Sequence, residues 1–285
     1  MKSHELPNPF KGILENYVLT PHGLKSRNDC TASTADPTET LPKWEKKLID
    51  SLLYLRQRGP AGWIESGTFT PSVPLGSMSV RFTVPDSPAM PGALIYLFPA
   101  AENPWMTTIL QPVLQWGDNF QFGGGEQWTT ACWYCSPDGK TTYSCQQPQV
   151  RPGETIVASM SVDRPYGKDS CDWKVEIKVE NDPGRCASLA ATGIKDLFLF
   201  LVGGALEAYS LDLLTWRIED GSLFIPRPAD WRQYPASGST TFNITELVDL
   251  NERSFRADWN KRILQSDCGL DVSVSDDRST ITLTY

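Results

Sequence analysis

A glutamine inside a β-strand is costly unless water or a partner satisfies its amide. This chain sets two of them in one short β-rich run, Thr107-Thr108-Ile109-Leu110-Gln111-Pro112-Val113-Leu114-Gln115-Trp116-Gly117. Strand alternation puts Gln111, Val113 and Gln115 on one face and Leu110, Leu114 and Trp116 on the other. The glutamine face reads as the lining of a groove; a wet outer face on an edge strand is the plain alternative. Glu207 is the acidic counterpart, in the otherwise apolar run Gly203-Gly204-Ala205-Leu206-Glu207-Ala208-Tyr209. Burying a carboxylate without a partner is expensive. In a cleft of low polarity its pKa would rise and make it a general acid or base. An ion pair with an arginine such as Arg81 is the structural alternative.

Other chemistries are excluded by what is missing. The sequence has 2 histidines, His4 and His22, both near the start, so a Ser-His-Asp or Cys-His apparatus has no imidazole to work with. Gly123-Gly124-Gly125 lacks the lysine and the following helix of a phosphate loop and reads as a turn. A glycosidase needs two inward carboxylates, and Glu154, Glu176 and Glu207 are the strand-borne candidates. A formal net charge of −8 argues against a nucleic-acid partner, which demands a basic surface. No apolar run approaches the roughly 18 residues of a membrane helix.

Seven cysteines suggest an oxidising compartment. Cys135 and Cys145 bracket the turn signal Ser136-Pro137-Asp138-Gly139, and Cys171 and Cys186 flank Asn181-Asp182-Pro183-Gly184. Cys30 and Cys268 could tie the two ends together, leaving Cys132 as a buried thiol. Zinc at Cys132-x-x-Cys135 is disfavoured, because no second such pair exists and both histidines lie far off. Asn243-Ile244-Thr245 is an N-glycosylation acceptor. No signal-peptide pattern follows Met1, so the expectation is a secreted protein whose leader lies outside this sequence.

The elements that would position these groups are mostly strands. Residues 1–40 are polar and Pro-rich. A helix is expected over about 41–58 from Trp44, Leu48, Leu52 and Leu55, capped by Thr40 and ended by Gly59-Pro60. From Trp63 to about 225, some ten β-rich segments follow, punctuated by Gly and Pro. A second helix is expected over about 245–264 from Leu247, Leu250, Phe255, Trp259 and Ile263, before closing strands at 271–275 and 280–285. The class is all-β: a jelly-roll or β-sandwich of two antiparallel sheets with added N- and C-terminal helices, in a single domain over 1–285.

Several stretches, in order and spacing, resemble the secreted fungal glutamic peptidases. They are Thr107-Thr108-Ile109-Leu110-Gln111, Ala131-Cys132-Trp133-Tyr134-Cys135-Ser136-Pro137-Asp138, Arg151-Pro152-Gly153-Glu154-Thr155-Ile156 and Leu206-Glu207-Ala208-Tyr209. The resemblance covers roughly residues 63 to 220 and implies two packed antiparallel sheets with a substrate groove on the concave face. In that family a Gln and a Glu across the groove activate water and stabilise a tetrahedral intermediate; Gln111 and Glu207 match those positions. Two departures stand out. The family's Trp-Val-Gly-Ile-Asp-type stretch is replaced by Ile95-Tyr96-Leu97-Phe98-Pro99-Ala100, and an acidic residue of the next strand by Tyr134.

With 10 Trp, 9 Tyr and 11 Phe, the groove is expected to be aromatic, flanked by Trp116, Trp128, Trp133, Tyr134, Tyr209 and Trp216. Such a pocket suits a hydrophobic small molecule better than a peptide backbone. The leading expectation is therefore a cofactor-free pericyclase. By analogy of setting and pocket chemistry, it would act like the secreted fungal enzymes that catalyse hetero-Diels–Alder additions in tropolone–sesquiterpenoid biosynthesis. Gln111, Gln115 or Tyr209 would hydrogen-bond a carbonyl of a pre-positioned substrate. An acid glutamic endopeptidase using Gln111 and Glu207, and a lectin-like carbohydrate-binding module, are the alternatives. No metal or organic cofactor is implied.

Overall fold

The computed structural model describes residues 17–20, 23–26, 63–89, 93–117, 125–138, 141–144, 146–166, 170–210, 217–219, 222–224, 234–263 and 270–285. The expected helix over 41–58 lies outside them. The strands are β1 (Tyr17–Thr20), β2 (Gly23–Ser26), β3 (Trp63–Phe69), β4 (Leu75–Thr83), β5 (Ala93–Glu102), β6 (Ile109–Trp116) and β7 (Trp128–Cys135). They continue with β8 (Thr141–Tyr143), β9 (Gln149–Val150), β10 (Thr155–Tyr166), β11 (Ser170–Val179), β12 (Asp182–Ile194) and β13 (Phe200–Ser210). The last are β14 (Arg217–Glu219), β15 (Ser222–Phe224), β16 (Ser239–Asp249), β17 (Asn260–Ile263), β18 (Asp271–Val274) and β19 (Thr280–Thr284).

Two large antiparallel sheets carry the fold. One has the order β12-β11-β10-β4-β16-β19-β18, the other β17-β3-β13-β5-β6-β7-β8, with β9 pairing β7. Burial separates their roles. Strands of the first sheet alternate, as β11 does with Trp173, Val175, Ile177 and Val179 turned inward and Lys174 exposed between them, the pattern of a sheet with one wet face. Every residue of β5 and β6 in the second sheet is buried. That sheet is covered on both sides, which explains why Ala93-Leu94-Ile95-Tyr96-Leu97-Phe98 reads as a continuous apolar run.

Two apolar clusters follow from this. The larger lies between the sheets and joins Val80, Phe82, Ile156 and Val175 of one to Leu97, Leu110 and Leu206 of the other. The smaller draws only on the second sheet and includes Trp63, Tyr96, Phe98, Val113, Trp133 and Tyr143. It marks the face turned away from the first sheet, called the outer face below.

One expectation is corrected. The apolar residues spaced along 245–264 do not make a helix. β16 continues to Asp249, whose Oδ1 accepts the amides of Asn251 (2.8 Å) and Arg253 (2.9 Å) in a tight turn, and β17 follows. Leu247 is buried opposite Met78, Leu250 is exposed on the turn, and Trp259 packs edge-on to Phe69 at 6.1 Å. A helical spacing has arisen from a strand, a turn and a second strand. β13 runs unbroken from Phe200 to Ser210 through Gly203-Gly204, with a bulge there.

Gly203 and Gly204 are pressed against side chains of the opposite sheet. A Cβ on Gly203 would lie 2.4 Å from Ile281 Cδ1, and one on Gly204 2.5 Å from Phe242 Cδ2. Overpacking of this kind costs about 1–3 kcal/mol. Gly203→Ala and Gly204→Ala are therefore expected to lower stability by about that amount in urea unfolding. Gly184→Ala, whose Cβ would meet nothing nearer than 3.5 Å, should change it by less than about 0.5 kcal/mol. Equal effects at all three positions would contradict this packing.

Candidate active site on the outer face

The bulge decides which way Glu207 points. Val202 and Ala205 both belong to the outer-face cluster, while Gly203 and Gly204 between them both face the other sheet. An unbroken alternation from Val202 would turn Leu206 outward and Glu207 inward. The extra residue reverses the phase, so Leu206 enters the inter-sheet core and Glu207 joins the outer face. Only glycine fits two consecutive inward positions with side chains this close behind them.

Register then fixes the neighbours of Glu207. It pairs with Tyr96, Tyr96 with Gln115, and Gln115 with Thr129, so one row crosses β13, β5, β6 and β7. Trp63 closes the row on the far side of Glu207. Strands spaced about 4.8 Å apart place the backbones of Glu207 and Gln115 roughly 10 Å from each other, with the Tyr96 phenol between them. The β5–β6 connection that sets this register is tied down internally. Asn103 Oδ1 accepts the Thr107 amide at 2.9 Å, Asn103 Nδ2 donates to Asp196 Oδ1 at 3.2 Å, and Thr108 Oγ1 donates to Asp196 Oδ2 at 2.7 Å.

Glu207 and Gln115 are each 1% exposed and Tyr96 2% exposed, so the row is closed to solvent in this structure. Its walls are aromatic: Tyr96 meets Trp133 edge-on at 5.6 Å, and Trp63 meets Phe98 edge-on at 5.6 Å. The Gln115 amide donates to Gly117 O at 2.9 Å, which fixes its orientation. Gly117 itself has a φ of 90° as the chain leaves the strand.

The register sets Gln115, and not Gln111, in the row of Glu207. Gln111, Val113 and Gln115 do share the outer face, opposite Leu110, Leu114 and Trp116. Gln111, however, sits opposite Trp133, four residues along the strand from Gln115 and so about 13 Å away. Its buried Oε1 has no hydrogen-bond partner. Local motif spacing cannot show register; the strand pairing can. Tyr96, now the central member of the row, carried no signal in the sequence beyond its place in an apolar run.

The aromatic residues divide by face. Trp133 lies on the outer face, as expected. Trp116 and Trp128 instead fill the inter-sheet core, their rings 5.4 Å apart, and Tyr134 packs half-buried against that same core. Alternation explains the error, since each is an odd number of residues from the outer-face positions on its strand. Tyr209 pairs through its backbone with Leu94; its side chain and Trp216 lie outside the described residues.

The remaining carboxylates are committed elsewhere. Arg81 pairs with Glu180 at 2.5 Å, not with Glu207. Arg185 grips Glu154 through Nη2 at 2.7 Å and Nη1 at 2.9 Å, and this hydrogen bonding holds the Glu154 pKa below the usual range. Burial pushes Glu176 up, but Lys174 and Lys178, at 2.6 and 2.8 Å, outweigh it and leave the pKa lowered. Glu176 belongs to the seven-stranded sheet and Glu154 immediately precedes its strand β10, so neither forms a catalytic pair with Glu207.

The Cys171–Cys186 bridge is overturned. Cys186 faces Lys178, whereas Cys171 faces Ile194 near the opposite end of the ladder. An offset of seven residues is about 24 Å, far beyond the roughly 7 Å that a disulfide spans. The flanking turn misled because the hairpin closes much nearer to Cys186. Cys30, Cys145 and Cys268 lie outside the described residues, and with them the Cys135–Cys145 and Cys30–Cys268 pairings. Cys132 donates to Ala187 O at 3.2 Å, and burial raises its pKa well above the ordinary thiol value, as suits an inert core thiol. Asn243 lies mid-strand and exposed in β16, its Nδ2 donating to Arg81 O at 3.3 Å. Among the described residues no group of three or more His, Cys, Asp or Glu could hold a metal, and no helix is long and apolar enough to cross a membrane.

No known protein-family profile matches the chain, and no curated protein does so. Solved structures do. The chain superposes on scytalido-glutamic peptidase bound to a peptide-based transition-state analogue with a TM-score of 0.50 and 14% identity, covering 78% of this chain and 98% of that one. SCP-B, a member of the eqolisin family of peptidases in complex with a tripeptide, gives a TM-score of 0.49 and 12% identity over 78% and 98% of the two chains. At such identity the likeness to the first is one of fold: this chain has the eqolisin-type β-sandwich.

The two glutamines are expected to respond differently to substitution. Gln115→Leu removes the bond to Gly117 O and should cost about 1 kcal/mol or more, whereas Gln111→Leu removes an unsatisfied buried oxygen and should be neutral or stabilising. Denaturant midpoints of the two variants test this; an equal loss at both positions would contradict the assignment.

Proposed function

We infer that the outer-face row is a general acid/base site of the glutamic-peptidase type, working on a carbonyl-bearing substrate in acid. The observation that supports this reading most is the register row in which Glu207 and Gln115 flank Tyr96 on an eqolisin-like sandwich. In this reading the Glu207 carboxylate accepts a proton from a water attacking the substrate carbonyl carbon. The Gln115 N–H that is not bonded to Gly117 O stabilises the oxyanion as it develops. Glu207 then returns the proton to the departing nitrogen. The Tyr96 hydroxyl, between the two, is a third donor for the same oxyanion. Gln115 thereby takes the role that the sequence resemblance gave to Gln111. A substrate reaches this row only when whatever closes the outer face is displaced. The expected setting is secretory.

A second reading is favoured by the aromatic walls of Trp63, Tyr96, Phe98 and Trp133 around a closed row. A sealed, apolar site with a few hydrogen-bonding groups also suits a hydrophobic small molecule held for a cycloaddition, the pericyclase reading. There the Gln115 amide would polarise a carbonyl of the diene partner, and Glu207 would not be required as a base.

The two readings part at Glu207. On the first, an unfolded protein substrate is hydrolysed at about pH 3, and Glu207→Gln or Gln115→Ala lowers kcat by about a hundredfold or more. Gln111→Ala should keep most of the activity. Peptide release measured by mass spectrometry is the readout. No release from the wild type at any acid pH, with turnover of a polyene or enone substrate that survives Glu207→Gln, would overturn the first reading in favour of the second.

A further inference from the structure

A second buried carboxyl faces the opposite way. Glu65, on β3, is 1% exposed, and neither of its oxygens has a hydrogen-bond partner. It pairs with Leu206 on one side and Ile263 on the other, and both of those side chains belong to or pack against the inter-sheet core. Glu65 therefore points between the sheets, toward β18 and β19. Ile64 forms a second bulge where β3 meets β13, between the positions paired with Leu206 and Glu207. Trp63 and Glu65, two positions apart on β3, are in this way sent to opposite faces.

Among the described residues, the groups around Glu65 offer it no counter-charge. From β18 comes Asp271, a like charge; from the end of β19 come the Thr284 backbone, too poorly placed for a full hydrogen bond, and the Tyr285 hydroxyl. Tyr285 is hydrogen-bonded to Thr240 Oγ1 at 2.6 Å, and burial pushes its own pKa up, with Glu65 and Asp86 adding to the shift. From β13 and β17 the facing residues are the apolar Leu206 and Ile263. An ionised carboxylate in this position would have neither water nor a cation.

We propose that Glu65 is a proton-linked latch: its carboxyl has to carry a proton for β3 to seat against β18 and β19, so the C-terminal strands are held in acid and loosened as the pH rises. The direction follows from linkage. Burial first, and Asp271 second, raise the Glu65 pKa from the ordinary 4.5 to about 9. Between those values the folded chain binds a proton that the unfolded chain has released. The stabilisation is complete below the unfolded value and is lost progressively as pH climbs toward the folded one, by up to about tenfold in the folding equilibrium per pH unit. Such a latch restricts full stability to acid surroundings, whatever reaction the outer face performs.

The test is the pH dependence of unfolding in the full chain. In the wild type the urea midpoint should fall steadily from about pH 5 to pH 8.5, and in Glu65→Gln this fall should flatten. Asp271→Asn, which keeps Glu65 but removes its like-charged neighbour, should raise the midpoint at pH 8 relative to the wild type. The infrared carbonyl band of a protonated carboxylic acid should persist at pH 7 in the wild type and shrink in Glu65→Gln. Should Glu65→Gln fail to fold, the Asp271→Asn shift and the wild-type band decide the matter. Parallel midpoint profiles in all three proteins, or no protonated-acid band at pH 7, would overturn the proposal.

Discussion

Two glycines pressed against the opposite sheet govern the chemistry of this molecule. Gly203 and Gly204 face inward in succession, with the Ile281 and Phe242 side chains directly behind them. That double inward step is what a β-bulge provides, and no other residue type would fit it. Because side-chain direction alternates along a strand, one inserted residue reverses everything after it. Leu206 is thereby committed to the core and Glu207 to the outer face. The close approach of the sheets and the placement of the acid are the same event, seen from two sides.

The two buried glutamates show how the same side chain serves opposite ends. Glu207 shares a row with an amide and a phenol, groups able to hydrogen-bond a reacting centre. Glu65 is flanked in its own sheet by leucine and isoleucine, is buried, and feels the charge of Asp271 from β18, an environment that favours its neutral form. Both depend on bulges that involve β13, one at Gly203-Gly204 and one opposite Ile64. Irregular pairing along one central strand thus sets the direction of each acid. The regular ladders of β5, β6 and β7 hold the glutamine row in fixed register against it.

Much of this was legible in the sequence, and the failures share a physical cause. The all-β class and the common face of Gln111, Val113 and Gln115 followed from alternation and punctuation. Partnerships that depend on register did not. The choice of Gln115 over Gln111 and the seven-residue gap between Cys171 and Cys186 each require knowing which residue lies opposite which. A run such as Leu247 to Ile263 likewise mimics a helix when strand, turn and strand deliver apolar residues at similar spacing.

The central claim is that Glu207, Tyr96 and Gln115 lie in one row on one face. The most direct measurement is the set of cross-strand proton contacts in the labelled protein, read by nuclear Overhauser spectroscopy. Contacts are expected linking the backbone of Glu207 to Tyr96 and of Tyr96 to Gln115, with the Glu207 and Tyr96 side chains showing contacts to Trp63 or Trp133 rather than to Phe242. Contacts that set Glu207 opposite Ile95 or Leu97, or that place its side chain against Phe242, would show the acid turned into the core and would contradict that claim.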